Sequence, residues 1–458
     1  MSEAREFKYI GQRTIRPDGY DKVTGRAAYG ADMSLPGMIW GKILRSPHAH
    51  AKILSIDTSK AQAHPDVMAV ATFDDFPAMK EKMKTSGEGS SGLLDMAQNI
   101  LAADKVLYHG HAVAAIAART ERAAADALSL IEVTYEVLPC VMDIEDAMRP
   151  DSPVLHDNMF TSGYETTPTT PSNIAVRAEM KMGDVEAGFA EADIIIERSY
   201  RTPTAHQGYI EPHACTVRYD EDGQSMIWCS TQGHFDVRAQ TASVLDMNLG
   251  KLKVIASEIG GGFGGKTTIY LEPVALVLSK KSGRPVKMVM DRNEVFIATG
   301  PTSASVLWAK IGAKKDGTIT AMQGRIAYEA GAFKGSPMMP GVMTMFTPYD
   351  IPNMQVEGFD VVVNKSKTAA YRAPGAPQAE FAAEMLVNEL AEELGMDPIE
   401  LRLKNAAKAG TQTIYGPKLK EVGLVECLEA AKNSDHYKSA IKENQGRGIA
   451  AGFWFNVG

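Results

Sequence analysis

The chain has 458 residues, of which 45% are apolar and 23% charged, a balance that excludes a disordered tail or one small module and predicts about three globular domains. A formal net charge of −8 argues against a nucleic-acid or anionic-membrane surface, either of which needs a basic field. No apolar run approaches the roughly 18 residues of a membrane helix, and the opening "MSEAREFKYIGQR" lacks the apolar core of a secretory signal, so a cytoplasmic protein is expected.

From residue 16 to about 139, "AAYGADM", "MIWGKILRS", "KILSID", "VMAVAT" and "AVAAIAA" predict strands, "TERAAADALSLI" a helix and "EVTYEV" a further strand. Residues 1–150 thus read as a compact α+β unit. The stretch "TSGYETTPTTPSN" at 161–173 is rich in Thr, Pro and Ser, and places a linker over 151–180. The remainder, 181–458, begins with helical "DVEAGFAEA", strands "DIIIERSYRT" and "SMIWCSTQ", helical "DVRAQTASVLDMN" and the strand "LKVIASEI". Further on, "PQAEFAAEMLVNELAEEL" predicts an amphipathic helix with Pro377 in its first turn and Gly395 beyond its end. A helix capped by Asp397, with Pro398 at its first position, follows. Cys140, Cys215, Cys229 and Cys427 form no C-x-x-C pair; buried free thiols are expected, with no zinc or iron–sulfur site in this chain.

The stretch "SEIGGGFGGKTTIYLE" at 257–272 fits two phosphate-binding patterns. Gly260, Gly265, Lys266 and Thr267 satisfy G-x-x-x-x-G-K-[ST], which would make the chain a P-loop NTPase with Lys266 on the β/γ-phosphates, and Asp291 imitates a magnesium-binding residue. That reading needs a helix running on from Lys266, yet Pro273 would cost about 3 kcal/mol inside it, so the helix is expected to start near Glu272. Gly260, Gly262 and Gly265 also fit G-x-G-x-x-G, but the acidic residue of a dinucleotide site comes late, at Asp291. A third alternative is a purely structural glycine turn. Each ordered glycine costs roughly 0.5–1 kcal/mol relative to alanine, so five of them within 260–266 imply a close approach to this backbone. The pairs His48/His50 and His109/His111 have the i,i+2 spacing that places two rings on one strand face; with no third ligand evident, they and His213 are read as structural.

The motif order decides among these alternatives. "EPHA", "STQG", "EIGGGFGGK" and "AAYRAPGAPQAEFAAE", in that sequence, resemble the molybdenum-binding subunit of the xanthine dehydrogenase and aldehyde oxidase family. The resemblance extends over nearly the whole chain: "RPDGYDKVTGRAAYGADMSLPGMIWGKILRSPHAHAKI" looks like that family's N-terminal hammerhead domain, and "IPNMQ", "NELAEELGMDPIELRLKN" and "VGLVECLEAA" keep its order. It implies an α+β fold, with a hammerhead-like domain followed by the first half of a molybdopterin-binding domain.

By this resemblance Gln232, Gly261, Gly262, Phe263, Gly264, Ala370 and Arg372 contact the cofactor, with Gln232, Phe263 and Arg372 nearest the metal. Tyr371 and Pro374 stand where substrate-sandwiching residues occur; one aromatic is kept and the other is replaced by proline. The glutamate that purine hydroxylases carry after the lysine is Thr267, and their purine-anchoring arginine falls near Pro340 or Gly341, which disfavours xanthine. Ala373 replaces the loop cysteine of the carbon monoxide branch. No catalytic residue is expected in this chain, because the family's catalytic glutamate lies in its second half. That half is expected on a partner, as in split enzymes such as nicotinate dehydrogenase. The expectations are a molybdopterin with molybdenum, in cytosine dinucleotide form, with 2Fe-2S and FAD on further partner subunits. The reaction expected is hydroxylation of an electron-poor carbon, foremost in an aromatic N-heterocycle such as nicotinate, alternatively an aldehyde or an aryl-CoA. A metal-free structural subunit is the remaining alternative.

Overall fold

The computed structural model describes residues 7–79 and 92–455. Its strands are β1 (Ile39–Arg45), β2 (Ala51–Asp57), β3 (Val67–Ala71), β4 (Lys105–Val106), β5 (Ala112–Ala118) and β6 (Glu132–Val137) in the N-terminal part. Beyond them lie β7 (Ile174–Met182), β8 (Ile194–Thr202), β9 (Ala214–Arg218), β10 (Ser225–Cys229), β11 (Leu252–Ala256) and β12 (Val286–Val289). Last come β13 (Ser305–Ala313), β14 (Ile319–Gly331) and β15 (Met354–Val362).

The seven-stranded sheet runs β11-β10-β9-β12-β1-β5-β3 and so takes strands from both sides of the expected linker. Its seam is the parallel pairing of β1 with β12, where Ile39 faces Val286 and Gly41 faces Met288. Close approach is required there, since a Cβ on Gly41 would lie 2.6 Å from Met288 Cγ. Strand β5, "AVAAIAA", is buried along its whole length, between helix Glu121–Leu128 and helix Glu272–Ser282, which explains a continuous apolar run in place of alternation. A five-stranded sheet, β7-β15-β14-β13-β8, carries the second large core. Leu307, Ile311, Ile326 and Val356 pack there with Leu386, Val387 and Leu390 of helix Ala376–Leu394. A small sheet, β4-β2-β6, completes the N-terminal part.

Most predicted elements form, and the exceptions have local causes. "AAYGADM" is a 3-10 turn, Gly30–Asp32, because the Asp32 carboxylate accepts the Tyr29 N–H at 2.9 Å and closes the backbone on itself. Strand β7 starts at Ile174, inside the stretch read as linker, and Asn173 fastens its start by accepting Leu155 N–H at 3.1 Å and donating to Pro153 O at 2.9 Å. Two of the four cysteines, Cys140 and Cys427, are exposed, contrary to expectation, because they lie at the surface and not in the cross-strand position that buries Cys215 opposite Cys229. Among the described residues no helix is long and apolar enough to cross a membrane.

Candidate cofactor cradle

Two strand-to-helix loops, one from each large sheet, meet to form the site. The first leaves β11, carries the glycines and ends at helix Glu272–Ser282, where Pro273 occupies the first turn and Tyr270 and Leu271 N–H groups donate to the Glu272 carboxylate. The second leaves β15, carries Ala370–Pro374 and enters helix Ala376–Leu394. They are joined directly, Arg372 N–H donating to Phe263 O at 2.9 Å. A Cβ on Gly264 would stand 2.6 Å from Ala370 O, at a φ of +104°, so only glycine lets the loops close to this distance.

Gln232, just after β10, orders the glycine loop from the other side. Its Oε1 accepts the N–H groups of Gly264 at 2.8 Å and Lys266 at 3.3 Å, and a Cβ on Gly262 would meet that oxygen at 2.5 Å. Two N–H donors fix which end of the amide is oxygen, so the Nε2 end is turned away from them with hydrogens to donate. Among the described residues neither this amide nor the backbone N–H of Gly261, Gly262 or Phe263 donates to a protein acceptor. Successive unpaired N–H groups in such a turn form a concave, electropositive nest suited to an anionic oxygen.

Backbone strain concentrates here. Of the five described non-glycine residues with positive φ, three belong to the site: Phe263 at 53°, Arg372 at 24° and Ala373 at 60°. Such conformations cost of order 1–3 kcal/mol each and persist where the surroundings hold them for a use. The Phe263 ring is 47% exposed, which makes it part of the open rim and not a core anchor. Gln232 and Arg372 are exposed beside it, while Tyr371 and Pro374 are half-buried on either side of Arg372 and Ala373. The structure therefore gathers Gln232, Gly261, Gly262, Phe263, Gly264, Ala370 and Arg372 around one rim, with Tyr371 and Pro374 on its second loop.

Lys266 is not on that rim. It is 1% exposed, and its Nζ donates to Glu211 at 2.7 Å and lies 4.9 Å above the Tyr209 ring. Burial pulls its pKa down and the pairing with Glu211 opposes that. A lysine turned inward with a buried partner cannot reach a nucleotide phosphate, and the helix that should follow it directly starts only at Glu272, so the P-loop reading fails. Asp291 is likewise occupied: it caps helix Arg292–Ala298 by accepting Glu294 N–H at 2.7 Å.

The histidine pairs lie in turns, where the strand-face premise does not hold. His50 Nδ1 bonds Pro139 O at 2.6 Å, and His111 Nδ1 accepts Leu107 N–H at 3.2 Å while Nε2 meets Gln98 O at 2.7 Å. His213 Nε2 bonds the Tyr209 hydroxyl at 2.7 Å, and burial first, then the Lys266 charge, drives its pKa well down, so it is a neutral framework residue. Burial also raises Tyr209 to about 12. Two residues of the site escaped sequence reasoning: Glu211, which lay in the quoted "EPHA", and Gln207, whose Nε2 donates to Ala370 O at 2.9 Å and braces the second loop.

Comparison with known proteins identifies both parts of the chain. Residues 166–406 match the model of the molybdopterin cofactor-binding domain, and residues 24–139 that of the aldehyde oxidase and xanthine dehydrogenase a/b hammerhead domain. The chain is similar to the nicotinate dehydrogenase large molybdopterin subunit of Eubacterium barkeri, at 33% identity over 435 residues, with 93% of this chain and 96% of that protein covered. It is 30% identical over 439 residues to the xanthine dehydrogenase molybdenum-binding subunit of Escherichia coli O157:H7, with 94% of this chain and 56% of that protein covered. Reconstituted CO dehydrogenase from Oligotropha carboxidovorans superposes with a TM-score of 0.81 at 30% identity, over 93% of this chain and 54% of that one. The chain thus spans nearly all of the first relative and a little more than half of the other two. It belongs to the aldehyde oxidase and xanthine dehydrogenase family of molybdenum-dependent oxidoreductases, as a molybdopterin-binding member.

Proposed function

We propose that the two-loop rim holds the metal end of a molybdopterin and that this chain works as one component of a hydroxylase acting on an electron-poor aromatic N-heterocycle such as nicotinate. The observation that carries the first part is the set of unpaired donors, the Gly261, Gly262 and Phe263 N–H groups and the Gln232 amide, on a rim closed by Arg372. The residues present fit such a group: a glycine-lined nest against which a Cβ would clash, with outward donors for oxygen atoms. When bound, the molybdenum cofactor supplies two-electron oxidation of a carbon with oxygen derived from water. Gln232 and the loop amides would hold the metal end of that group by donating hydrogen bonds to it, and Phe263 would exclude water from the rim.

The proton acceptor is proposed to be a glutamate on a partner subunit. Glu211, the carboxylate behind the loop, is occupied by Lys266, Gly260 and Gly30. Iron–sulfur and FAD subunits would take the electrons, and the pterin would carry a cytosine nucleotide. The substrate class is supported by the two positions that would anchor a purine. The Thr267 hydroxyl donates to Gly264 O at 2.9 Å and serves the loop's own fold, and Gly341 lies under the Tyr328 hydroxyl, where a Cβ would stand 2.7 Å away. Neither site offers the charged anchor a purine needs, and the relative spanned nearly end to end acts, by its name, on nicotinate.

The test is purification of the native complex with its neighbours, followed by molybdenum and pterin analysis and dye-linked oxidation of nicotinate, xanthine, an aldehyde and an aryl-CoA. Molybdenum bound with pterin and a preference for nicotinate are expected. A complex with no molybdenum would leave the structural-subunit reading, and a preference for xanthine would overturn the substrate assignment.

A further inference from the structure

Glu211 faces away from the rim, yet both ends of the glycine loop meet on its carboxylate. Oε2 accepts Gly260 N–H at 2.8 Å, at the loop's start, and Lys266 Nζ at 2.7 Å, at its end. Oε1 accepts the N–H of Gly30 at 3.2 Å, from the N-terminal part of the chain. Tyr209 forms the floor between these anchors: a Cβ on Gly261 would lie 3.1 Å from its Cβ, and one on Gly265 would lie 2.9 Å from its Cε1.

A loop this rich in glycine has many conformations to lose on ordering, and its glycines select none of them. A buried ion pair is a poor source of net stability, because desolvation offsets most of the attraction, and an apolar pair of similar volume is often as stable. What such a pair does provide is direction, through short charge-assisted hydrogen bonds. We propose that the buried Glu211–Lys266 pair is a positioning device that fixes the curvature of loop 260–266, and with it the aim of the Gly261–Phe263 N–H groups, and that Gly30 ties this curvature to the N-terminal unit. The proposal rests on the reading of the loop as a cofactor cradle.

Two variants test it in the co-purified complex. Glu211→Asp keeps the charge and shortens the arm. The double variant Glu211→Gln with Lys266→Met removes both charges and so avoids the penalty of one left alone. Amide exchange of loop 260–266 is followed by mass spectrometry, beside molybdenum content and the Mo(V) electron paramagnetic resonance signature. Both variants are expected to unfold cooperatively, with loop amides exchanging about tenfold faster or more. Retained molybdenum should fall about tenfold or more, and any remaining centre should show an altered signature. Either variant folding with wild-type loop exchange and an unaltered signature would overturn the proposal. Should the wild-type complex hold no molybdenum, the cradle reading fails, while the exchange rates still decide whether the pair holds the loop.

Discussion

Gly264 shows what a single missing Cβ does in this molecule. Its φ of +104° is open to glycine, and the carbonyl of Ala370 occupies the space a methyl group would need. Gly264→Ala must therefore part the two loops or strain both. Because the loops lie at the surface of two intact cores, the chain is expected to fold, with bound molybdenum reduced by about tenfold or more, the effect of about 1.4 kcal/mol. Metal analysis beside a melting curve checks both halves of that statement. His111 couples stability to pH. Burial lowers its pKa from 6.5 to about 4, and with Leu107 N–H donating into Nδ1 the folded ring has no place for a second proton. Between those pH values the unfolded chain binds a proton that the folded chain refuses, so stability rises as pH rises from about 4 to 6.5, is complete above 6.5 and is lost below 4. The contribution is about 3 kcal/mol, and His111→Gln, which keeps an acceptor and a donor, should flatten that slope in urea titrations at pH values across the window. At this scale the rim residues were legible because the motif order names them. Glu211 was not, since its three partners lie at Gly30, Gly260 and Lys266, and no local pattern joins them. Lys266 misled for a related reason: a side chain's direction depends on where the next helix starts, and Pro273 moves that start to Glu272.

Elements with chemical punctuation were read from sequence almost to the residue. Helix Pro398–Asn405 has the expected cap, Asp397 accepting Ile399 N–H at 2.8 Å and Glu400 N–H at 3.2 Å, and Gly395 closes the preceding helix at a φ of 61°. What the pattern does not reveal is how these two helices are locked together. Arg402, fully buried, donates to Glu384 Oε2 through Nε at 3.0 Å and a terminal nitrogen at 2.7 Å, while the Tyr349 hydroxyl donates to Oε1. Ala451 N–H adds a further bond to Oε2 at 2.6 Å. Arg402→Met leaves a buried carboxylate without its cation and is expected to cost about 3–5 kcal/mol. Adding Glu384→Gln should recover part of that loss. Denaturant unfolding of the single and double variants measures the difference, and equal destabilisation by both would mean that the pair's charge is immaterial. This lock stands behind the second loop of the site, because helix Ala376–Leu394 begins right after Pro374 and Gly375.

At the scale of the whole molecule, the division between N-terminal and cofactor-binding parts is one of sequence, while the sheet is shared. Strands β1, β5 and β3 continue the sheet of β9 to β12 through the β1–β12 seam, a long-range parallel pairing that no periodicity could announce. The N-terminal part also reaches the cradle, through Gly30 N–H on Glu211, Ala28 O accepting Glu258 N–H at 3.0 Å and Lys22 paired with the Glu258 carboxylate. Separating the parts exposes the seam edge of β1 and, beside it, the Ile39 side chain that now packs in the shared core. An unpaired edge with apolar neighbours pairs with other chains. Residues 1–150 produced alone are therefore expected to be largely insoluble, and co-production with 151–458 should restore a soluble complex, measured as soluble yield and elution volume. The intact chain should then melt with one transition spanning both parts, because the core of the seven-stranded sheet draws on both sides of the seam. Introducing Gly41→Val places a side chain where Met288 Cγ would lie 2.6 Å from its Cβ, and should lower that transition in both parts together. Two separate transitions, one unmoved by Gly41→Val, would show instead that the seam is dispensable and that the N-terminal part folds independently.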